Sequence, residues 1–193
     1  MKKLAVTVAC LVGGLSAFGQ GFVSLANLGT GVNSPFKDSS GVALSGSGYT
    51  VQLLTGATPT SVADSIAPFF TGSFLAGGYF NAGSRTVPAA DVFAWPASPN
   101  PQALNGTYAI LQVWSNLGGT VTSYNQALTT AGAQYGKTVA WEIPVQISST
   151  LPAADMAGMP LINGNGNLIL VPEPSTIALG ILGVAVFLLG RRK

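Results

Sequence analysis

Apolar and polar residues alternate along several stretches of this chain at the two-residue period of β-strands. The clearest stretch covers residues 137–147. Its odd-numbered apolar residues are expected to share one face of a strand: Val139, Trp141, Ile143, Val145 and Ile147. Pro144 falls on the opposite face and has no backbone N–H, so it predicts an edge strand or a bulge.

Further strands are predicted on both sides of this stretch. Three well-alternating segments each place a set of residues on one face: Val23 and Leu25; Tyr49, Val51 and Leu53; Ala109, Leu111 and Val113. Weaker alternation predicts strands within residues 65–74, 79–87 and 91–95, and a last strand at 168–170. Asn105-Gly106 suits a tight type I′ turn, and residues 123–129 fit one short helix.

No segment of residues 20–170 has the period of a long amphipathic helix. Many short strands separated by closely spaced turn signals are typical of two-layer β-folds. The pattern therefore predicts a single all-β domain over residues 20–170, with a β-sandwich or jelly-roll-like architecture.

Residues 1–19 have the pattern of a secretory signal peptide. Two lysines near the start are followed by an apolar run at 4–15 and then by small residues. Ala17 and Gly19 form a small-x-small cleavage pattern, which makes Gln20 the expected first residue of the exported chain. An uncleaved N-terminal anchor is the alternative, and the shortness of the apolar run disfavours it.

The final segment, residues 171–193, combines three features in series. It begins with an extended segment whose prolines fix φ and keep the backbone accessible: Val171, Pro172, Glu173, Pro174, Ser175 and Thr176. The uncharged apolar run 177–190 follows, and as a helix it would be about 21 Å long, against a hydrocarbon core of about 30 Å. The chain ends in a basic cluster that predicts a stop to translocation and a cytoplasmic C-terminus: Arg191, Arg192 and Lys193.

This segment resembles the PEP-CTERM sorting signal of Gram-negative bacteria, which has the same three parts in the same order. The resemblance covers 23 of the 193 residues. It implies a short transmembrane sorting helix, an inner-membrane stage, and an exosortase-type membrane enzyme that acts near Pro172-Glu173-Pro174. It also implies localisation at the cell surface or in the extracellular matrix, in association with exopolysaccharide. A plain anchor after a proline-rich hinge is the alternative, although such an anchor usually has about 20 apolar residues.

Setting both terminal segments aside changes the sign of the net charge. The whole chain carries a formal +2. Residues 20–170 carry three cationic and five anionic side chains, a net charge of −2: Lys37, Arg85 and Lys137 against Asp38, Asp64, Asp91, Glu142 and Asp155. Without a basic patch, the domain is not expected to bind nucleic acid.

Few residues could support catalysis. The chain has no histidine, which excludes histidine-based triads and ordinary histidine zinc sites. Its one cysteine, Cys10, lies in the signal segment, so the exported chain is expected to have no thiol chemistry. Asp64, Asp91 and Glu142 could supply a carboxylate pair for glycoside hydrolysis, but separate solvated charges are the favoured interpretation. Asp38 fits an Asx-type turn better than a calcium site. We expect no catalytic residue, cofactor or metal.

Aromatic residues raise a second possibility. Tyr108 and Trp114 share the face of their strand opposite Ala109. Together with the other tryptophans and tyrosines of residues 20–170 they could form a sugar-stacking platform, although core packing is the favoured role: Trp95, Trp114, Trp141, Tyr49, Tyr79, Tyr108, Tyr124 and Tyr135. The sequence therefore predicts an exported, non-enzymatic surface or matrix protein. A secreted carbohydrate-binding module is the alternative, and a polysaccharide-active enzyme that uses carboxylates alone comes third.

Overall fold

The computed structural model describes residues 21–29, 32–63, 67–94, 105–146, 154–156 and 158–172. Residues 1–20 and the apolar run 177–190 lie outside these ranges. So do most of the predicted cleavage, sorting and stop-transfer residues: Ala17, Gly19, Gln20, Glu173, Pro174, Ser175, Thr176, Arg191, Arg192 and Lys193. Within the described ranges, no helix is long and apolar enough to cross a membrane.

The described residues form twelve strands, two short α-helices and four 3-10 turns of three residues each. The strands are β1 Gly21–Ala26, β2 Leu28–Gly29, β3 Val32–Asn33, β4 Gly46–Gly56, β5 Phe70–Phe74, β6 Asn81–Val87, β7 Phe93–Ala94, β8 Asn105–Ser115, β9 Gln134–Lys137, β10 Trp141–Val145, β11 Ala154–Asp155 and β12 Ile169–Leu170. The helices are α1 Pro59–Ala63 and α2 Tyr124–Ala127. This part of the chain is therefore β-rich, as the alternation predicts.

Strand β8 is the centre of a seven-stranded sheet with the path β12-β9-β8-β4-β5. Along one edge of β8, β4 pairs antiparallel with residues 108–115 of β8, and β7 pairs antiparallel with residues 105–106. Along the other edge, β9 pairs with residues 112–114 and β10 with residues 105–109. The central strand thus has two partners in succession along each of its edges.

A smaller sheet packs against this one. Its central strand β1 pairs antiparallel with β6 and parallel with β11. Just after β10, Gln146 exchanges two backbone hydrogen bonds with Phe22 of β1, at N···O distances of 2.8 and 3.1 Å. The chain that leaves β10 therefore crosses from the larger sheet to the smaller one.

Side chains from both sheets and from the connecting loops fill one core. Its fully buried members include Val23 and Leu25 from β1, Val51 and Leu53 from β4, and Ala109, Leu111 and Val113 from β8. Each buried aliphatic side chain the size of valine or leucine contributes roughly 1.5–3 kcal/mol relative to exposure. The alternation predicted for β1, β4 and β8 is confirmed.

The predicted strand over residues 137–147 is two strands with an extra residue between them. β9 ends with Lys137 opposite Gln112, and β10 begins with Trp141 opposite Ala109. Four residue steps on this side therefore match three steps on β8. That mismatch is a one-residue β-bulge.

The bulge exchanges the two faces of the strand, because side chains alternate. Trp141 is 8% exposed, whereas Val139 is 71% exposed. The prediction that both face the core is wrong for Val139, and Ile147 lies outside the described residues. Thr138 fills the gap in the ladder: its N–H donates to the Leu111 carbonyl at 2.9 Å, and its Oγ1 accepts from the Leu111 N–H at 3.0 Å.

The predicted turn at Asn105-Gly106 is also wrong. Both residues lie inside β8, where Gly106 pairs with Phe93 of β7 on one side and with Pro144 of β10 on the other. Strands from elsewhere in the chain fix these two residues in an extended conformation. The weaker strand predictions hold over shorter spans, as β5, β6 and β7.

Candidate functional site

The outer face of β8 carries the strip that the sequence suggested for ligand binding. Its residues alternate with the buried Ala109, Leu111 and Val113 along the strand, and they are Tyr108, Ile110, Gln112 and Trp114. The two helices divide this strip into covered and uncovered parts.

Helix α2 covers the Trp114 end of the strip. Ser123 caps the helix by accepting a hydrogen bond from the Gln126 N–H at 3.2 Å, so the predicted short helix is confirmed. Trp114 is 1% exposed, meets Tyr124 edge-to-face at 6.4 Å between ring centroids, and donates its Nε1–H to the Val121 carbonyl. Trp114 is therefore a core residue, and so is Trp141; Trp95 lies outside the described residues.

Helix α1 covers the middle of the strip. Its Val62 is fully buried and packs with Leu54 of β4 and Ile110 of β8 in an apolar cluster. Ala140 and Tyr108 pack against the margin of this cluster. Of the four strip residues, Ile110 and Trp114 are buried, whereas Tyr108 and Gln112 are half-buried. The aromatic part of the strip that stays partly open to solvent is the Tyr108 end, beyond α1.

At this open end, Tyr108 lies between two partners that the sequence does not connect. The Phe93 ring of β7 stacks on it with 5.0 Å between centroids and 25° between planes. On the other side, the Tyr108 hydroxyl donates to Oε1 of Glu142 on β10 at 2.7 Å. Both rings are half-buried and the carboxylate is exposed. This hydrogen bond, followed by partial desolvation, raises the pKa of the Tyr108 hydroxyl.

The structure does not bring Asp91 and Glu142 together. Asp91 Oδ2 accepts a hydrogen bond from Thr55 Oγ1 at 2.5 Å. Thr55 pairs with Ala109 and therefore lies on the core face, whereas Glu142 pairs with Tyr108 on the outer face. The two carboxylates are bound on opposite faces of one sheet, which does not suit a hydrolytic pair across a single cleft. Asp64 lies outside the described residues.

Asp38 forms the predicted Asx-type turn. Its Oδ1 accepts hydrogen bonds from the Ser40 hydroxyl at 2.7 Å and from the Ser40 and Val42 N–H groups at 2.9 Å. The hydroxyl bond is the main cause of a lowered pKa for this carboxyl. Because the folded-state pKa is depressed, the turn's contribution to stability is present above the unfolded-state pKa and is lost as the pH falls through the folded-state value.

The first two residues of the predicted sorting motif lie at the edge of the larger sheet. Val171 follows β12 directly; its N–H donates to the Ala133 carbonyl at 2.8 Å, and its carbonyl accepts from the Gly132 N–H at 3.0 Å. Pro172 is exposed and is the last described residue. No spacer therefore separates the paired backbone from the start of the Pro-Glu-Pro sequence.

Replacing Tyr124 with phenylalanine should weaken the loss of stability in alkali. Burial, with a smaller effect from Tyr135, raises the pKa of Tyr124 to about 12, from its ordinary value of 10.0. Between these values the folded state holds a proton that the unfolded state loses, so the free energy of unfolding falls as the pH rises. At about 1.4 kcal/mol per pKa unit, the fall is at most about 3 kcal/mol.

The measurement is urea unfolding of wild type and Tyr124→Phe from pH 7 to pH 12. The two proteins should differ little in pH dependence below pH 10, and the variant should lose less stability above it. Identical slopes above pH 10 would contradict a role for the Tyr124 hydroxyl.

Among the described residues, the end of the strip at Tyr108 and the sheet edge at Val171 and Pro172 are both at least partly exposed. The open strip presents aromatic faces beside a hydrogen-bonding carboxylate. In the described part of the chain, no three acidic or cysteine side chains gather in a way that could hold a metal ion. No protein-family model, curated protein or solved structure matches this chain.

Proposed function

We propose that this protein is an exported, non-enzymatic cell-surface or extracellular-matrix protein that is sorted through residues 171–193. The observation that carries the proposal is the succession, in one segment, of the Pro172-Glu173-Pro174 motif, the short apolar run 177–190 and the basic end. The fold supports it, because the backbone pairing of the domain ends at Val171, directly before Pro172-Glu173-Pro174. The motif is therefore the first part of the chain beyond that pairing.

In this proposal residues 20–170 form one exported β-sandwich or jelly-roll-like domain. The shared core of the two sheets supports a single unit. The non-enzymatic assignment is supported by the absence of histidine from the chain and by the binding of Asp91 and Glu142 on opposite sheet faces. Polar uncharged residues make up much of the remaining surface, which suits a protein embedded in a hydrated polymer.

The proposed sorting steps are based on the physical properties of the tail. Residues 1–19 direct export and are removed before Gln20. The apolar run holds the chain in the inner membrane, and Arg191, Arg192 and Lys193 keep its end in the cytoplasm. The two prolines oppose extension of the apolar helix into the motif, so an exosortase-type enzyme meets an extended backbone there. The processed protein then reaches the cell surface or matrix, with exopolysaccharide as a partner.

The test is cell fractionation of a Gram-negative host, with one epitope after Gln20 and a second after Lys193. Wild type should lose the second epitope and reach the surface. Replacing Pro172 and Pro174 by alanine should leave the protein in the inner membrane with both epitopes, because the helix can extend upstream. Deleting residues 177–193 should release the domain without sorting.

The matched control replaces two exposed prolines of the domain, Pro59 and Pro88, by alanine. This variant should be processed like wild type. If the Pro172/Pro174 variant loses its C-terminal epitope at the wild-type rate, the motif is only a hinge before an anchor and the proposal fails.

A further inference from the structure

We propose that Phe93, Tyr108 and Glu142 form a binding site for a neutral polysaccharide on the outer face of the larger sheet. We call these three residues the aromatic–carboxylate patch. This inference deepens the proposed function and rests on it only for the presence of polysaccharide around the exported protein. Binding itself is a property of the folded domain and can be measured without any sorting step.

The patch is fixed in position before any ligand arrives. Tyr108 is stacked on Phe93, packs against the cluster under α1, and is hydrogen-bonded to Glu142 at 2.7 Å. Immobilising a free side chain at an interface costs about 0.5–1.5 kcal/mol. Because these three contacts already restrict Tyr108, most of this cost is met during folding. The ring is therefore a preorganised contact surface.

The chemistry of the patch fits a ring that has both C–H and hydroxyl groups. The face of an aromatic ring is the negative part of its quadrupole and attracts weakly positive C–H groups. A carboxylate offers about four acceptor positions, of which the Tyr108 hydroxyl uses one, and Glu142 is exposed to solvent. A sugar ring can place its C–H face on the aromatic side chains while its hydroxyls donate to Glu142. A purely apolar ligand would leave the carboxylate unused.

The charge of the patch favours a neutral sugar over an acidic one. Glu142 would repel the carboxylates of a uronic-acid polymer. Lys137 also faces outward, but it pairs with Gln112, four residues along β8 from Tyr108, which is about 13 Å in a strand. That separation exceeds the screening length of about 8 Å at physiological salt, so Lys137 offers little compensation.

The test is retention of the full-length protein on polysaccharide particles, in a zwitterionic detergent because glycoside detergents would compete. The matrices are an α-linked and a β-linked insoluble neutral glucan, with calcium-crosslinked alginate as the acidic polysaccharide. Wild type should bind at least one neutral glucan about tenfold more tightly than alginate, and Tyr108→Leu or Phe93→Leu should each lower that affinity about tenfold. Glu142→Gln should increase retention on alginate, because it removes the repelling charge.

The matched control is Tyr79→Leu, which removes a half-buried tyrosine outside the patch whose hydroxyl donates to Asn33. It should bind like wild type, and circular dichroism establishes that each variant is folded. If Tyr108→Leu does not fold, Tyr108→Phe replaces it and should still weaken binding, because without the hydroxyl bond the ring and Glu142 no longer hold each other in place. Three results would overturn the inference: no retention of wild type on either neutral glucan, equal retention of folded patch variants, or preference for alginate. None of them bears on the two-epitope sorting test, so the two proposals can fail separately.

Discussion

Replacing Trp141 by alanine is expected to lower the free energy of unfolding by about 3–5 kcal/mol. The indole is 8% exposed and belongs to the core shared by the two sheets. Its removal forfeits the transfer free energy of a large aromatic side chain and leaves a cavity that neighbours such as Ile143 fill only in part. The measurement is urea unfolding followed by circular dichroism, which does not depend on the fluorescence of the deleted tryptophan.

Val139→Ala is the matched control for this prediction. Val139 is two residues away and has the same parity in the sequence, but it lies in the bulge and is 71% exposed. Its replacement should change the free energy of unfolding by less than about 0.5 kcal/mol. Similar losses for the two variants would mean that the strand is continuous and that the bulge is absent.

Replacing Asn27 by leucine is expected to cost at least about 3 kcal/mol, because buried groups left without partners cost about 1–3 kcal/mol each. Asn27 is fully buried. Its Nδ2 donates to the carbonyls of Ser34 at 2.8 Å and Gly78 at 2.9 Å, and its Oδ1 accepts from the Phe80 N–H at 2.6 Å. The side-chain amide thus links the backbone at Asn27 to the backbone at Ser34 and at residues 78–80.

The control is Asn125→Leu, which replaces an exposed asparagine on α2, with an expected change in the free energy of unfolding of less than about 0.5 kcal/mol.

Asn27→Asp tests the orientation of the amide, because it places a carboxylate against the Ser34 and Gly78 carbonyl oxygens. This repulsion should raise the pKa of the new carboxyl above its unfolded-state value. The free energy of unfolding should then fall as the pH rises from 4 to 7. If the stability of Asn27→Asp does not depend on pH in this range, the assigned hydrogen bonds are contradicted.

Much of the fold could be predicted from alternation because the core faces of β1, β4 and β8 are apolar. Val51, Leu53, Leu111 and Val113 are buried as expected. The bulge between Lys137 and Trp141 could not be predicted, since a single extra residue leaves the local composition unchanged and shifts only the parity of the residues after it. It becomes visible in the pairing of β9 and β10 with the same strand, and that pairing is a long-range property.

The candidate site could be predicted only in part, for a related reason. Tyr108 and Trp114 share a face, as strand period requires, but the sequence does not say that α2 docks over Trp114 while the Tyr108 end stays open. The sequence did not identify Phe93 as a site residue, because ten residues, 95–104, separate β7 from β8 in the sequence and nothing local indicates that the two strands pair. The pairing of Phe93 with Gly106, two residues from Tyr108, is what places the Phe93 ring against the Tyr108 ring. A glycine leaves room beside an aromatic ring, which is a weak signal in sequence alone.

The direct attachment of the tail to β12 has a mechanical consequence. A pull on the C-terminus would act first on the two hydrogen bonds of Val171, and then on the pairs Leu170–Gln134 and Ile169–Tyr135. When the load draws the tail away from β9, these bonds break one after another, and breaking them singly requires less force than breaking them all at once. We therefore expect the domain to yield at its C-terminal edge under load, with β8 and its other partners still in place. The last strand would act as a weak mechanical link between the tail and the core.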